Sequence, residues 1–109
     1  MSIDNIARDL RMYAEEGRGQ EIVNLLGELS DSKFDTVITK FDESNGELPL
    51  HVAVRNGHGL DVLGQICTKR NGEDLIHVRT KGGYSALHLA ALHGNIEALE
   101  WLVSKHPPR

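Results

Sequence analysis

Gly46-Glu47-Leu48-Pro49-Leu50-His51-Val52-Ala53 returns 37 residues later as Gly83-Tyr84-Ser85-Ala86-Leu87-His88-Leu89-Ala90. In both stretches a second Gly follows the His by six positions, at Gly57 and Gly94. A turn residue, a helix start, a Leu-His pair, an Ala and a second turn residue recur together and in register. That is the mark of one structural unit built twice, not of an active site.

Inside each copy the apolar spacing is helical. Leu87, Leu89, Ala90 and Ala91 form a short apolar helix starting near Ser85, and Ile96, Leu99, Leu102 and Val103 mark a second helix after Gly94-Asn95. Ser85 is placed as an N-cap, its hydroxyl taking a first-turn amide that the helix leaves unpaired. Gly94 stands where the chain must stop one helix and reverse into the next. Ala90 and Ala91 are small because neighbouring helix pairs come close there. The middle copy is weaker. Pro49 suits a first helical turn, but Leu48 replaces a capping Ser or Thr, which removes about 1 kcal/mol of capping. Gly64 inside the second helix, Leu60 to Ile66, costs up to about 1 kcal/mol relative to Ala.

These features resemble the ankyrin-repeat family. The resemblance implies an all-α solenoid of helix-turn-helix units with extended β-hairpin-like fingers between them. It also implies one domain over residues 1–109, with units at about 3–43, 44–80 and 81–106. A first unit emerges at an offset of 40, which sets Gly17 on Gly57, Leu10 on Leu50 and Leu26 on Ile66. Arg11 stands there in place of the His. Residues 3 to 29 then read as an N-terminal cap whose polar outer face is supplied by Asp4, Arg8, Asp9, Arg11, Glu15, Glu16 and Arg18. The connectors are longer than the family's usual link. Each contains a segment that reads as strand, Thr36-Val37-Ile38-Thr39 and Ile76-His77-Val78-Arg79, before the turns at Ser44-Asn45-Gly46 and Lys81-Gly82-Gly83.

The resemblance also assigns the histidines. His51 and His88 fall where the family's imidazole hydrogen-bonds the preceding turn, and His58 follows the first-helix Gly, so all three are structural. His77, His93 and His106 share no spacing, and no Cys-x-x-Cys or His-x-x-x-His pair is present, so no metal site is expected. Glu73-Asp74 reads as a solvated loop pair, Cys67 as a small apolar residue at a helix end, and Gly57-His58-Gly59 lacks the Lys-Ser/Thr of a phosphate loop. No catalysis and no cofactor are expected.

Composition bounds the class. The chain has 109 residues, 39% of them apolar, and no run approaches the roughly 18 apolar residues of a membrane span. The start, Met1-Ser2-Ile3-Asp4-Asn5, has neither a basic nor an apolar block, so no signal peptide is expected. One cysteine, Cys67, excludes an internal disulfide and suits a reducing compartment, the cytosol or nucleus. Up to Leu48 there are 11 acidic and 5 basic residues; from Pro49 on, 5 acidic and 7 basic. Neither half carries the basic stripe that nucleic acid requires.

The positions that the family leaves variable are the candidate partner-binding residues: Glu47 and Tyr84 after the turn Gly, Arg55-Asn56 and Leu92-His93 before the second Gly, and Arg79 and Lys81 at the fingertips. Together they are expected on the concave face formed by fingers and first helices. The function implied is a protein–protein interaction module, adaptor or inhibitor in type. The alternative is an N-terminal regulatory segment of a larger enzyme or channel. At the far end, Ile96, Leu99, Trp101, Leu102 and Val103 outnumber the charges available to cover them. The sequence therefore predicts an apolar patch at Trp101 and Val103, and either self-association through residues 96 to 106 or a further repeat.

Overall fold

In a computed structural model, which describes residues 2–67 and 72–105, the chain forms α1 (Ile3–Glu15), α2 (Gly19–Gly27), α3 (Asp31–Ile38), α4 (Pro49–Arg55), α5 (Leu60–Ile66), α6 (Gly72–His77), α7 (Ala86–Leu92) and α8 (Ile96–Lys105). There is no strand among the described residues. α1, α4 and α7 stack on one another in one layer, and α2, α5 and α8 in a second. Within each unit the two layers are joined by the pairs α1–α2, α4–α5 and α7–α8. The molecule measures 38 × 27 × 25 Å.

The helix starts follow the sequence. Ser85 Oγ accepts the His88 N–H at 3.4 Å and caps α7. At α4 no side chain of Leu48 can cap; instead the Leu48 N–H donates to His51 Nδ1 at 2.9 Å. The reversals between paired helices fall at Gly57 and Gly94, with φ of +78° and +70°, a conformation that costs an L side chain about 1–2 kcal/mol.

The core lies between the two layers and runs through every unit: Leu10, Ile22 and Leu26, then Leu50, Val52, Leu63 and Ile66, then Ala90, Ala98 and Leu102, all essentially inaccessible. Each large side chain among them contributes about 1.5–3 kcal/mol relative to an exposed position. Ala53 and Ala90 occupy the same place in successive units and are both fully buried. Ala91, expected to be small for the same reason, is exposed instead, on the outward side of α7.

Polar side chains stitch the units together at repeating positions. His58 Nε2 donates to Ala14 O at 2.7 Å. Its counterpart Asn95 donates from Nδ2 to Val54 O at 3.2 Å and to His58 O at 3.3 Å. Ala14 and Val54 are equivalent residues of α1 and α4, so one stitch is made twice. A second stitch joins α1 and α4 to the finger that follows each of them. His51 Nε2 donates to Val78 O at 3.0 Å, and Arg11, in the same place one unit earlier, lies 3.9 Å from Asp42. Arg11 therefore points inward to the first finger, not onto the polar outer face assigned to it. Glu15 likewise turns toward the next unit, 3.7 Å from Arg55.

The two segments that read as strand are helical. Thr36-Val37-Ile38 lies in α3 and Ile76-His77 in α6, which also takes in Glu73-Asp74. β-branched residues disfavour helix by only a few tenths of a kcal/mol. Against that, Phe34, Val37 and Ile38 recur at helical spacing and are all buried, and Ser30 Oγ caps α3 by accepting the Lys33 N–H at 3.4 Å. Leu75 and Ile76 are buried in the same way from α6. The fingers themselves are tight hairpin-like turns: Asp42 N–H donates to Glu47 O at 2.9 Å and Thr80 N–H to Tyr84 O at 2.9 Å. They touch through the Lys81 N–H, which donates to Asn45 O at 3.0 Å.

Candidate protein-binding face

The C-terminal ends of α1, α4 and α7 align, so equivalent residues form rows across the units. One row is Glu15, Arg55 and Leu92; the next is Glu16, Asn56 and His93. The fingers border these rows with a second equivalence, Glu47 and Tyr84, each directly after its turn Gly.

The structure treats the two copies of this arrangement differently. In the middle unit Arg55 grips Glu47 with two bonds, Nε to Oε2 at 2.8 Å and an Nη to Oε1 at 2.9 Å. Asn45 Nδ2 donates to the same carboxylate at 3.1 Å. Glu47 is 8% exposed, so this is a planar two-bond pair that fixes the base of the finger on α4. In the third unit the same two places hold Tyr84 and Leu92, 45% and 63% exposed. No ion pair exists there, and an aromatic and an aliphatic side chain face solvent instead.

The remaining candidates divide similarly. Asn56 folds back, Nδ2 donating to Val52 O at 2.8 Å. Arg79 donates to Gly83 O at 3.2 Å and the Lys81 ammonium to Glu43 O, so both exposed cations bond main-chain carbonyls at the fingertips. His93 is exposed at the end of α7. Tyr84, Leu92 and His93 thus belong to one unit and present side chains that the fold does not use, whereas Glu47 and Arg55 are held by each other.

Two exposed apolar residues escaped the sequence reading. Phe41 and Val78 stand at equivalent places, directly before the two fingers, and line an open groove with Gly46, Arg79, Thr80 and Lys81. Their 37-residue separation was the available signal, hidden because the surrounding segments read as strand.

The groups that chemistry would require are arranged for structure. Burial pushes the Cys67 thiol up to about 11, so it stays protonated at neutral pH and is a poor nucleophile. Among the described residues no group of three or more His, Cys, Asp or Glu is placed to hold a metal ion. No helix among them is long and apolar enough to cross a membrane. His106 lies outside the described residues.

A profile of ankyrin repeats, in three copies, matches residues 10–108. The chain belongs to the ankyrin-repeat family. It is 28% identical over 98 residues, 90% of its length, to an ankyrin repeat-containing protein of Arabidopsis thaliana, of which it covers 18%. It is 36% identical over 61 residues, 54% of its length, to human NF-kappa-B inhibitor alpha, covering 19% of that protein. Over 83 residues, 64% of its length, it is 31% identical to the poly [ADP-ribose] polymerase tankyrase of Caenorhabditis elegans, covering 4% of it. The chain thus spans less than a fifth of each of these relatives. Three ankyrin units support a protein–protein interaction module.

Proposed function

We propose that this ankyrin-repeat chain binds a protein partner, as an adaptor or inhibitor, through the face built from the fingers and the ends of the first helices. One observation carries the reading: the two positions that hold a closed ion pair in the middle unit hold exposed Tyr84 and Leu92 in the third. Aromatic residues in such places are enriched among those that dominate binding energy, and here neither side chain has a structural task. His93, Arg79 and Lys81 border them with polar and cationic groups, a suitable rim, while Glu47, Arg55 and Asn56 hold the platform in shape. Its single cysteine suits the cytosol or nucleus.

The test is capture of partners from a cell lysate, identified by mass spectrometry, with the wild type and with Arg79, Tyr84, Leu92 and His93 all changed to Ala. Circular dichroism and melting temperature should stay near wild type, and affinity for the captured partner should fall more than about tenfold, or 1.4 kcal/mol. Undiminished binding would move the site off this face, with the acidic first unit next to be tested. The similarity to a tankyrase, an enzyme by name, favours a second reading, that the chain is a regulatory ankyrin segment of a larger enzyme or channel. Sequencing the full-length transcript separates the two.

A further inference from the structure

Trp101, expected to head an apolar patch at the far end, packs partly against the core. A better-defined apolar surface is the groove at the fingers, with a volume of about 330 Å³. Phe41 and Val78 line it from equivalent places in successive units and are 56% and 38% exposed. No side chain can stand at Gly46 beside them, because a Cβ there would come within 2.8 Å of the Lys81 nitrogen. The Lys81 N–H on Asn45 O, at 3.0 Å, ties the two fingers together, so the groove is formed before any ligand arrives. Its charged lining residues are Arg79 and Lys81, both cations. Arg79 is tethered to Gly83 O at 3.2 Å and the Lys81 ammonium to Glu43 O. Those neutral carbonyls fix the cations in place without cancelling their charge, and neither cation has an ion-pair partner among the described residues. The carboxylates of the first finger do not compensate them. Asp42 takes the Ser44 N–H and hydroxyl at 2.8 and 2.7 Å and faces Arg11 at 3.9 Å. Glu47 is held by Arg55, and Glu43 is exposed and does not line the groove.

We propose that this groove seats an extended acidic segment of the partner protein, with one apolar side chain against Phe41 and Val78 and flanking carboxylates on Arg79 and Lys81. The inference rests on the reading of this chain as a protein-binding module and names the chemistry of the segment bound. Charge complementarity carries it. In a chain with 16 acidic against 12 basic residues, an apolar groove edged by cations selects an anionic partner. A guanidinium takes a carboxylate through paired N–H groups and an ammonium takes one as a point charge. Thr80 Oγ1, also in the lining, accepts the Tyr84 N–H at 3.3 Å, which leaves its O–H to donate to the segment. The volume lies at the lower end for ligand sites and suits a side chain or two. An anionic membrane or a nucleic acid fits less well, since the net charge of −4 repels a broad negative surface.

The probe is a display library of random linear peptides, panned on the full chain. Enriched sequences should set a Leu, Ile or Phe among Asp and Glu residues. For the best of them, made synthetically, Phe41→Ser should weaken binding by about tenfold or more, and so should Arg79→Glu combined with Lys81→Glu. Affinity should also fall as added salt screens the charge pairs. Thermal melts check that the variants fold. Phe41 is exposed, so its variant decides the matter even where the double charge reversal disturbs the finger. Enrichment of peptides without acidic residues, or of none at all, would overturn the proposal. Acidic peptides whose binding survives Phe41→Ser but is lost with Tyr84→Ala and Leu92→Ala would overturn it too, and would leave the protein-binding reading standing with the groove excluded. If the lysate capture also yields no partner, that reading falls as well.

Discussion

His51 shows how a single side chain is given its role by its surroundings. Its Nδ1 accepts from Leu48 and its Nε2 donates to Val78 O, so only the neutral ring fits, and burial lowers its pKa from the ordinary 6.5. Above that ordinary value both folded and unfolded rings are neutral and the contribution to stability is complete. As pH falls below it, the unfolded chain takes up a proton that the folded chain refuses, and stability is lost. Urea denaturation at pH 8 and pH 5.5 should therefore show a lower midpoint at the acid end, and His51→Ala should make that dependence shallower. The same substitution should cost about 1–3 kcal/mol at neutral pH, because two main-chain groups lose their partner in a buried place. His88→Ala should cost less, since water can reach its ring.

At the scale of the element, the connectors are where physical chemistry overruled local propensity. If α3 is a capped helix, Ser30→Ala should reduce stability by about 1 kcal/mol and lower the helical circular dichroism signal slightly; a strand would be indifferent. Two glycines should respond in opposite directions. A methyl at Gly64 meets nothing within 4 Å, so Gly64→Ala should raise stability by up to about 1 kcal/mol through helix propensity. At Gly46, φ is +73° and a Cβ would lie 2.8 Å from the Lys81 nitrogen of the neighbouring finger. Gly46→Ala should lose at least the left-handed penalty of about 1–2 kcal/mol and disturb the bond between fingers. Thermal melts of both variants beside the wild type check the pair.

Over the whole molecule, stability is the sum of stacked interfaces, and it is unevenly shared. Among the described residues the middle unit is covered on both sides and the third on one. Amide hydrogen exchange should accordingly be slower in α4 and α5 than in α7 and α8. The reverse order would mean that the outer face of the third unit is covered in solution.

What the sequence determined by itself is whatever repeats. The 37-residue echo of Leu-His and turn Gly, with apolar residues at helical spacing, was enough for the paired helices, the Ser85 cap, the reversals at Gly57 and Gly94 and the family. Those features depend on neighbours within a few residues, which a linear pattern records. The tertiary structure decided the rest. Thr36-Val37-Ile38 became helix because Phe34, Val37 and Ile38 had a core to enter, and no local preference of a few tenths of a kcal/mol withstands that. Glu47 and Arg55 passed from candidate ligands to a closed ion pair because they are brought within 2.8 Å of each other across eight residues. Their equivalents Tyr84 and Leu92 stayed exposed. His51 and His88 share a motif, yet one is buried and the other exposed, because a helix pair lies over the first and none lies over the second among the described residues.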